Sequence, residues 1–298
     1  MKLNNLSVAI ITRNREKLLG DCLISLSKQK VIPKEVIVID NNSKDNTKKV
    51  IMSFKKVLPI RYFLEKKIGT AYSRNRALRK SRGKILAFVD DDCIVNSNWT
   101  EETIKAHKRY PKAIAIQGKA YSLPKGRIIS AICQKEYDRW IKQNIKNNDQ
   151  IVVLDTKNAS FKKERIKRAR IFFDSRFSLY CDDLDLSRQI AAKKQIIVYC
   201  PEIILYSWWK VSLFGFLKQR FLKGCASALL DYKWSENFRF EKGQKLIFDK
   251  KRFYIKKWYA VPIYYITVFL LNDVYRLGYF LQKIKLERSL IFPNSKIS

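Results

Sequence analysis

Residues 85–94 read Ile-Leu-Ala-Phe-Val-Asp-Asp-Asp-Cys-Ile, and the fold turns on how this stretch is read. Five apolar residues run unbroken into Asp90, Asp91 and Asp92. A short apolar run of this kind fits a strand buried on both faces of a parallel sheet. Open α/β sheets bind their ligands at the carboxyl ends of such strands. Three adjacent carboxylates repel one another and need a positive partner. A hard divalent cation, Mg2+ or Mn2+, suits carboxylate oxygens. Residues two apart in an extended chain point the same way, so Asp90 and Asp92 can face one ligand together. The plain alternative is a solvated acidic turn, and the flanking segments weigh against it.

Upstream, Leu6–Ile11 is an apolar, β-prone run that ends in Thr12-Arg13-Asn14-Arg15. Helical spacing follows over Glu16–Lys28, with Leu18, Leu19, Cys22, Leu23 and Leu26 on one face. Glu35–Ile39 is a second buried strand, ending at Asp40-Asn41-Asn42-Ser43. Ser43 is the expected N-cap of a helix carrying Val50, Ile51 and Phe54. Ile60–Leu64 is a short third strand. Gly69 and Thr70 open a basic helix with Arg74 and Arg76, and Gly83 is expected to stop it. Strand and helix alternating in this way predict a parallel sheet with right-handed crossovers. The polar strand ends Thr12, Asp40 and Asp90 should then share one edge. Asp40 there either accepts hydrogen bonds from a base or ribose or caps the next turn. Arg74 either reaches a diphosphate or lies on a solvated helix face. Neither a dinucleotide fingerprint nor a P-loop occurs.

The chain has 298 residues, 47% hydrophobic and 13% aromatic, enough for one large α/β domain with an appendage or for two small domains. Its 61 Lys and Arg against 27 Asp and Glu leave a net charge of +34, which favours anionic partners of some kind. The six cysteines form no CxxC pair, so reduced, buried thiols are expected rather than disulfides or zinc ligands. No secretory leader is expected from the opening residues.

Four stretches in order resemble the nucleotide-sugar domain of family-2 glycosyltransferases: Ser-Val-Ala-Ile-Ile-Thr-Arg-Asn-Arg (7–15), Val-Ile-Val-Ile-Asp-Asn-Asn-Ser-Lys-Asp-Asn-Thr (36–47), Gly-Thr-Ala-Tyr-Ser-Arg-Asn (69–75) and Phe-Val-Asp-Asp-Asp (88–92). The resemblance implies an α/β fold of GT-A type. That fold is a Rossmann-like, mostly parallel sheet flanked by helices, here with a helical C-terminal extension. It also implies roles. Thr12, Asn14, Asp40, Arg74, Asp90 and Asp91 would bind the donor, and Asp90 and Asp92 the metal. Asn158, in Lys-Asn-Ala-Ser-Phe (157–161), would line the donor sugar. Ile11 stands where the family commonly has proline.

Residues 180–188, Tyr-Cys-Asp-Asp-Leu-Asp-Leu-Ser-Arg, resemble the family's acidic element, with Asp182 in place of its usual Glu. By resemblance Asp183 is the general base, and Asp182 and Asp185 belong to the acceptor side. The chemistry needs such a base, because a sugar hydroxyl is a poor nucleophile until its proton is taken. Acids capping a helix start are the competing reading. Many relatives carry a metal-site histidine after the next strand, where this chain reads Leu-Tyr-Ser-Trp-Trp-Lys (205–210). The only histidine, His107, is expected on a helix surface.

Residues 1–207 are therefore assigned to the catalytic domain and 208–298 to a basic, aromatic, helical tail. The tail holds 18 Lys and Arg against 6 Asp and Glu. Ser212–Leu230 is expected to be an amphipathic helix with Lys218, Arg220 and Lys223 on its basic side. The apolar run Trp258–Leu271 is too short to span a bilayer. Peripheral contact with an anionic membrane, at its cytoplasmic face, is one expectation. Packed helices over the acceptor side are the other. The expected partners are a nucleotide-sugar donor and a glycan or lipid-linked acceptor, and no nucleic acid. Two rival classes are a haloacid-dehalogenase-like phosphatase and a basic nucleic-acid-binding module. The first places its Asp-x-Asp strand at the start of the domain, and the second lacks any groove-reading motif here.

Overall fold

Each apolar run that ends in a polar cluster is a strand in the computed structural model, which describes residues 5–123, 128–146, 149–177, 179–208, 213–234 and 272–283. The first half alternates as the pattern predicts: β1 (Leu6–Thr12), α1 (Glu16–Ser27), β2 (Glu35–Asp40), α2 (Thr47–Ser53), β3 (Ile60–Leu64), α3 (Thr70–Lys80) and β4 (Ile85–Asp90). Then come β5 (Cys93–Val95), α4 (Trp99–Arg109), β6 (Ala115–Leu123), α5 (Ile128–Asn144), β7 (Asn158–Lys162), α6 (Lys163–Arg168), α7 (Asp182–Ala192) and β8 (Ile197–Trp208).

The strands form one sheet in the order β3-β2-β1-β4-β7-β6-β8-β5. β1 to β4 are mutually parallel, whereas β7 runs antiparallel between β4 and β6, and β5 antiparallel to β8. Alternation along β1 explains the two buried faces. Leu6, Val8 and Ile10 pack with Leu19, Leu23 and Leu26 of α1, while Ala9 turns to the side covered by Ala71 and Ala77 of α3. Phe88 on that second side meets Phe161 and Phe173 edge-on, with centroids 5.9 and 5.6 Å away. Truncating such a residue costs about 3–5 kcal/mol.

Several local expectations are corrected. α2 starts at Thr47 rather than just after Ser43. Asp45 Oδ1 accepts from the Thr47 amide and hydroxyl at 3.1 and 2.6 Å, which sets the helix start there. Phe54 lies in a following 3-10 turn. α3 ends at Lys80, ahead of Gly83. Gly83 is needed instead for close approach, because a Cβ there would lie 2.5 Å from the Asn5 carbonyl oxygen and 2.7 Å from the Ser7 nitrogen. His107 is buried rather than on the surface. Its Nε2 lies 2.9 Å from Ser160 Oγ, because that face of α4 packs on the sheet.

The chain divides into two units, Met1–Trp209 and Lys210–Ser298. In the second, α8 (Leu213–Trp234) and a helix over 272–283 approach closely at Gly224 and Gly278, where a Cβ would collide with the facing backbone. Tyr279 Oη donates to Asp231 Oδ2 at 3.2 Å across the same pair. No helix among the described residues is long and apolar enough to cross a membrane. The run Trp258–Leu271 lies outside the described residues.

Candidate active site

Parallel register brings the polar strand ends together. Thr12 pairs with Asp40 and Ile11 with Asp90, so three strand termini lie side by side, about 4.8 Å apart per strand. The loops beyond them are cross-bonded. Asn14, in the left-handed region at φ 53°, donates its amide to Ser43 Oγ at 3.0 Å and accepts from the Lys44 amide at 2.7 Å. Asp40 is 2% exposed, with Oδ1 accepting from the Ser43 amide at 2.8 Å and Oδ2 from Tyr62 Oη at 3.0 Å. Turn capping is thus one of its tasks, and a carboxylate keeps lone pairs for a further donor. Burial and then Asp40 push the Tyr62 hydroxyl up to about 12. Asn41, which no sequence motif singles out, donates to the Lys67 carbonyl at 2.7 Å and accepts from the Gly69 amide at 2.8 Å. It thereby fixes the start of α3, where Gly69 has φ 142°.

The three aspartates divide their tasks. Asp90 closes β4 with 40% of its side chain open to the cleft, Asp91 is buried, and Asp92 begins the turn into β5. Arg15, just ahead of α1, donates to Asp91 Oδ1 at 2.9 Å and Asp92 Oδ2 at 3.1 Å. Burial raises the Asp91 carboxyl to about 6, with Arg15 pulling it down and Asp92 pushing it up. The end of β8 is tied alongside, the Trp208 amide donating to the Asp92 carbonyl at 2.9 Å. That strand end does reach the acids, carrying Ser207 and Trp208 rather than an imidazole.

Arg74 joins this cluster to the second acidic element. It is 8% exposed; Nη1 bonds Asp182 Oδ2 and Nη2 lies 3.6 Å from Asp90 Oδ1. The guanidinium also lies 5.7 Å from the Phe173 ring centroid. Burial opposes its charge, but Asp182 and Asp90 more than offset that and hold it cationic. α7 opens immediately after Cys181, which is in the left-handed region at φ 65°, an uncommon state for a residue with a Cβ. The helix start thus presents Asp182 and Asp183 rigidly. Asp183 is half-buried and follows Asp182, the partner of Arg74, in the first turn of α7. Burial, then Asp182 and Asp155, push the Asp183 carboxyl up to about 7. The Asp90 carboxyl is likewise pushed up, by partial burial and then by Asp92 and Asp155 against the pull of Arg74.

Asp155 is a site residue that the sequence motifs miss. It precedes β7, pairs with the half-buried Lys157 at 2.9 Å, and adds negative charge to both Asp90 and Asp183. Its one signal in the sequence is an acid three residues ahead of the Asn-Ala-Ser-Phe strand. Two expected residues do other work. The Asn158 amide is fully engaged: Oδ1 accepts from Trp99 Nε1 at 2.8 Å and Nδ2 donates to the Lys119 and Ile203 carbonyls at 2.8 and 2.9 Å. It ties β6, β8 and α4 together and, 2% exposed, has no side-chain N–H left for a sugar. Asp185 has no exposed surface and accepts from Gln189 at 2.8 Å, so it anchors α7 internally rather than lining an acceptor surface.

Among the described residues no three His, Cys, Asp or Glu side chains are grouped as a ligand set. The acids nonetheless fit a divalent cation. Asp90 is open and under-compensated, Asp92 is beside it, and carboxylate oxygens are the right donors. Two carboxylates leave further positions to be filled by other oxygens.

Residues 7–169 match the family model described as glycosyl transferase family 2. The chain is 31% identical over 191 residues to the uncharacterized glycosyltransferase YfnE of Bacillus subtilis, covering 62% of this chain and 46% of that protein. It is 38% identical over 90 residues to a GalNAc(5)-diNAcBac-PP-undecaprenol beta-1,3-glucosyltransferase of Campylobacter jejuni, 29% of each chain. It thus spans less than half the length of either relative. Its GT-A fold is shared with the mannosyltransferase PcManGT of Pyrobaculum calidifontis, solved with GDP-Man and Mn2+: TM-score 0.63, 18% identity, 97% of this chain and 75% of that one. Since the family model spans more than half of the chain, the chain belongs to glycosyl transferase family 2.

Proposed function

We propose that the protein is an inverting glycosyltransferase, moving a sugar from a UDP- or dTDP-sugar to a hydroxyl of a glycan or lipid-linked saccharide. The observation that carries this reading is Arg74 spanning Asp182 and Asp90, which brings the strand-end acids and the base candidate Asp183 to one guanidinium.

In this reading Thr12, Asn14 and Asp40 hold the nucleotide, and Arg74 leaves Asp182 to meet the diphosphate. Asp183 takes the proton from the acceptor hydroxyl as that oxygen attacks the anomeric carbon, and the bond from that carbon to the diphosphate oxygen breaks on the opposite face. A single displacement inverts the centre. The charge growing on the leaving diphosphate is met by the guanidinium of Arg74 and by that of Arg15, each released from the carboxylates that hold it. Asp90 and Asp92 would hold Mg2+ or Mn2+, which supplies further positive charge at the leaving group. Asp91, buried under Arg15, sets the position of that side chain rather than meeting the donor directly.

Peripheral membrane contact belongs to the same proposal. Its support is the second unit, where Leu277, Phe280 and Leu281 are 52%, 58% and 48% exposed at helical spacing in a strongly basic segment. The phosphatase and nucleic-acid readings are not favoured, because the Asp-x-Asp strand is the fourth of its sheet and the family match covers the site. The test is a screen of nucleotide-sugars for hydrolysis and transfer, with and without Mn2+, on the wild type and Asp183→Asn. Turnover of one donor, lost in the variant while donor binding persists, supports the reading. Equal turnover in the variant overturns it.

A further inference from the structure

The edge of the sheet opposite the acids also carries a built feature. β2 runs from Glu35 to Asp40, so its start lies about 16 Å from the strand-end cluster at a strand rise of about 3.3 Å per residue. A cavity of about 400 Å³ opens there, with Leu58 and Ile60 among its lining and Lys34, Lys55, Arg61 and Arg82 around it. Its one acid is already committed. Glu35 is 3% exposed and accepts from Ser7 Oγ, from the Arg82 amide and from Arg61 Nη1 at 2.5 Å. Those contacts hold its carboxyl below the usual range against the effect of burial. Arg61 is fixed further by the Lys80 carbonyl at 2.8 Å and by stacking 5.2 Å from the Phe63 centroid.

Glu35 and Arg61 therefore cancel, and the remaining lining charge is positive. Among the described residues no carboxylate pairs with Lys55 or Arg82, and both side chains are exposed. Lys163 reaches the same corner, bonding the Ser81 carbonyl. A concave site whose lining includes Lys55 and Arg82, with Glu35 already matched by Arg61, suits a compact anion that carries more than one negative oxygen. Val57, next in the chain to the lining residue Leu58, is 59% exposed, which also suits a site turned towards lipid.

We propose that this cavity binds a phosphate-bearing anion, separately from the catalytic cleft. The group is either a free phosphate compound or the headgroup of an anionic lipid, since both present the same oxygens to Lys55 and Arg82.

The test uses the full chain and two charge-matched variants. Lys55→Glu/Arg82→Glu alters the cavity; Lys28→Glu/Lys112→Glu makes the same change on exposed residues outside it. Neither pair belongs to the proposed catalytic machinery, so donor turnover and melting should match the wild type. Pyrophosphate binding by calorimetry, without divalent metal, is one arm. Co-sedimentation with phosphatidylglycerol/phosphatidylcholine vesicles is the other. The cavity variant should bind about tenfold more weakly in one arm while the control holds. Loss of pyrophosphate binding identifies a free phosphate compound, and loss of vesicle binding alone identifies a headgroup. Equal losses in both variants, or none in either, overturn the proposal.

Discussion

Arg74 and Asp182, 108 residues apart in sequence, form a buried ion pair that fastens α3 to the start of α7. Among the described residues the other contacts of the two are longer: Thr70 Oγ1 lies 3.3 Å from Asp182 Oδ2. Asp90 is 3.6 Å from the same guanidinium, at the edge of salt-bridge range. Removing one member of a buried pair leaves a charge in low dielectric and costs about 3–5 kcal/mol, whereas the pair itself contributes far less. Arg74→Met and Asp182→Asn should each lose stability on that scale in urea unfolding. The double variant should lose much less than their sum. Additive losses would mean that the pair is not coupled as the geometry indicates.

Asp183 gives the pH dependence. Burial, with Asp182 and Asp155, raises its carboxyl to about 7, and a base works only when ionised. Transfer by the free enzyme should rise about tenfold per pH unit below 7 and level off above it. Asp155→Asn removes one of the charges that raise it. The acid limb should therefore move to lower pH in that variant, measured as kcat/KM against pH on protein shown by its melting curve to be folded. An unmoved limb would leave Asp155 as no more than the partner of Lys157.

The acidic turn itself is held by Arg15, whose guanidinium bonds both Asp91 and Asp92. A cation arriving at Asp92 must compete with it. Arg15→Ala should therefore bind Mn2+ several-fold more tightly in the absence of donor, and Asp92→Asn should lose that binding. Calorimetric titration of the three proteins decides. Weaker Mn2+ binding in Arg15→Ala would show that Arg15 supports the metal site rather than competes for it.

Much of this arrangement is legible in the amino-acid order alone. Parallel strands have both faces buried, so β1, β2 and β4 stand out as unbroken apolar runs, and their polar ends fall on one edge by topology. Register then fixes Thr12 beside Asp40 and Ile11 beside Asp90. What is not legible depends on where side chains point after packing. Arg15 reads as one more basic loop residue until α1 folds it back on the acids. Asn158 reads as a pocket amide, yet Trp99 and two strand carbonyls use every group it has. Asp45 rather than Ser43 receives the first amide of α2, because local Asx geometry decides between neighbouring polar residues.

His107 departs from expectation for a similar reason, and its burial has a measurable consequence. A lone histidine in a polar-looking helix stretch suggests solvent, but α4 turns that face inward, leaving His107 4% exposed with Ser160 Oγ at 2.9 Å from Nε2. Burial, and to a lesser degree the charge of Lys162, lower its pKa from 6.5 to about 3. Between those values the unfolded chain takes up a proton that the folded one excludes. Stability therefore falls as pH drops through 6.5, by up to about 1.4 kcal/mol per pH unit. Neutral Gln can keep a bond to Ser160 but cannot titrate. Going from pH 7 to pH 5, the wild type should lose about 2 kcal/mol relative to His107→Gln, measured by urea unfolding of both proteins. The acidic cluster titrates in the same range, but it is common to the two proteins and cancels in the difference. Parallel stability curves for the pair would mean that His107 accepts its proton in place.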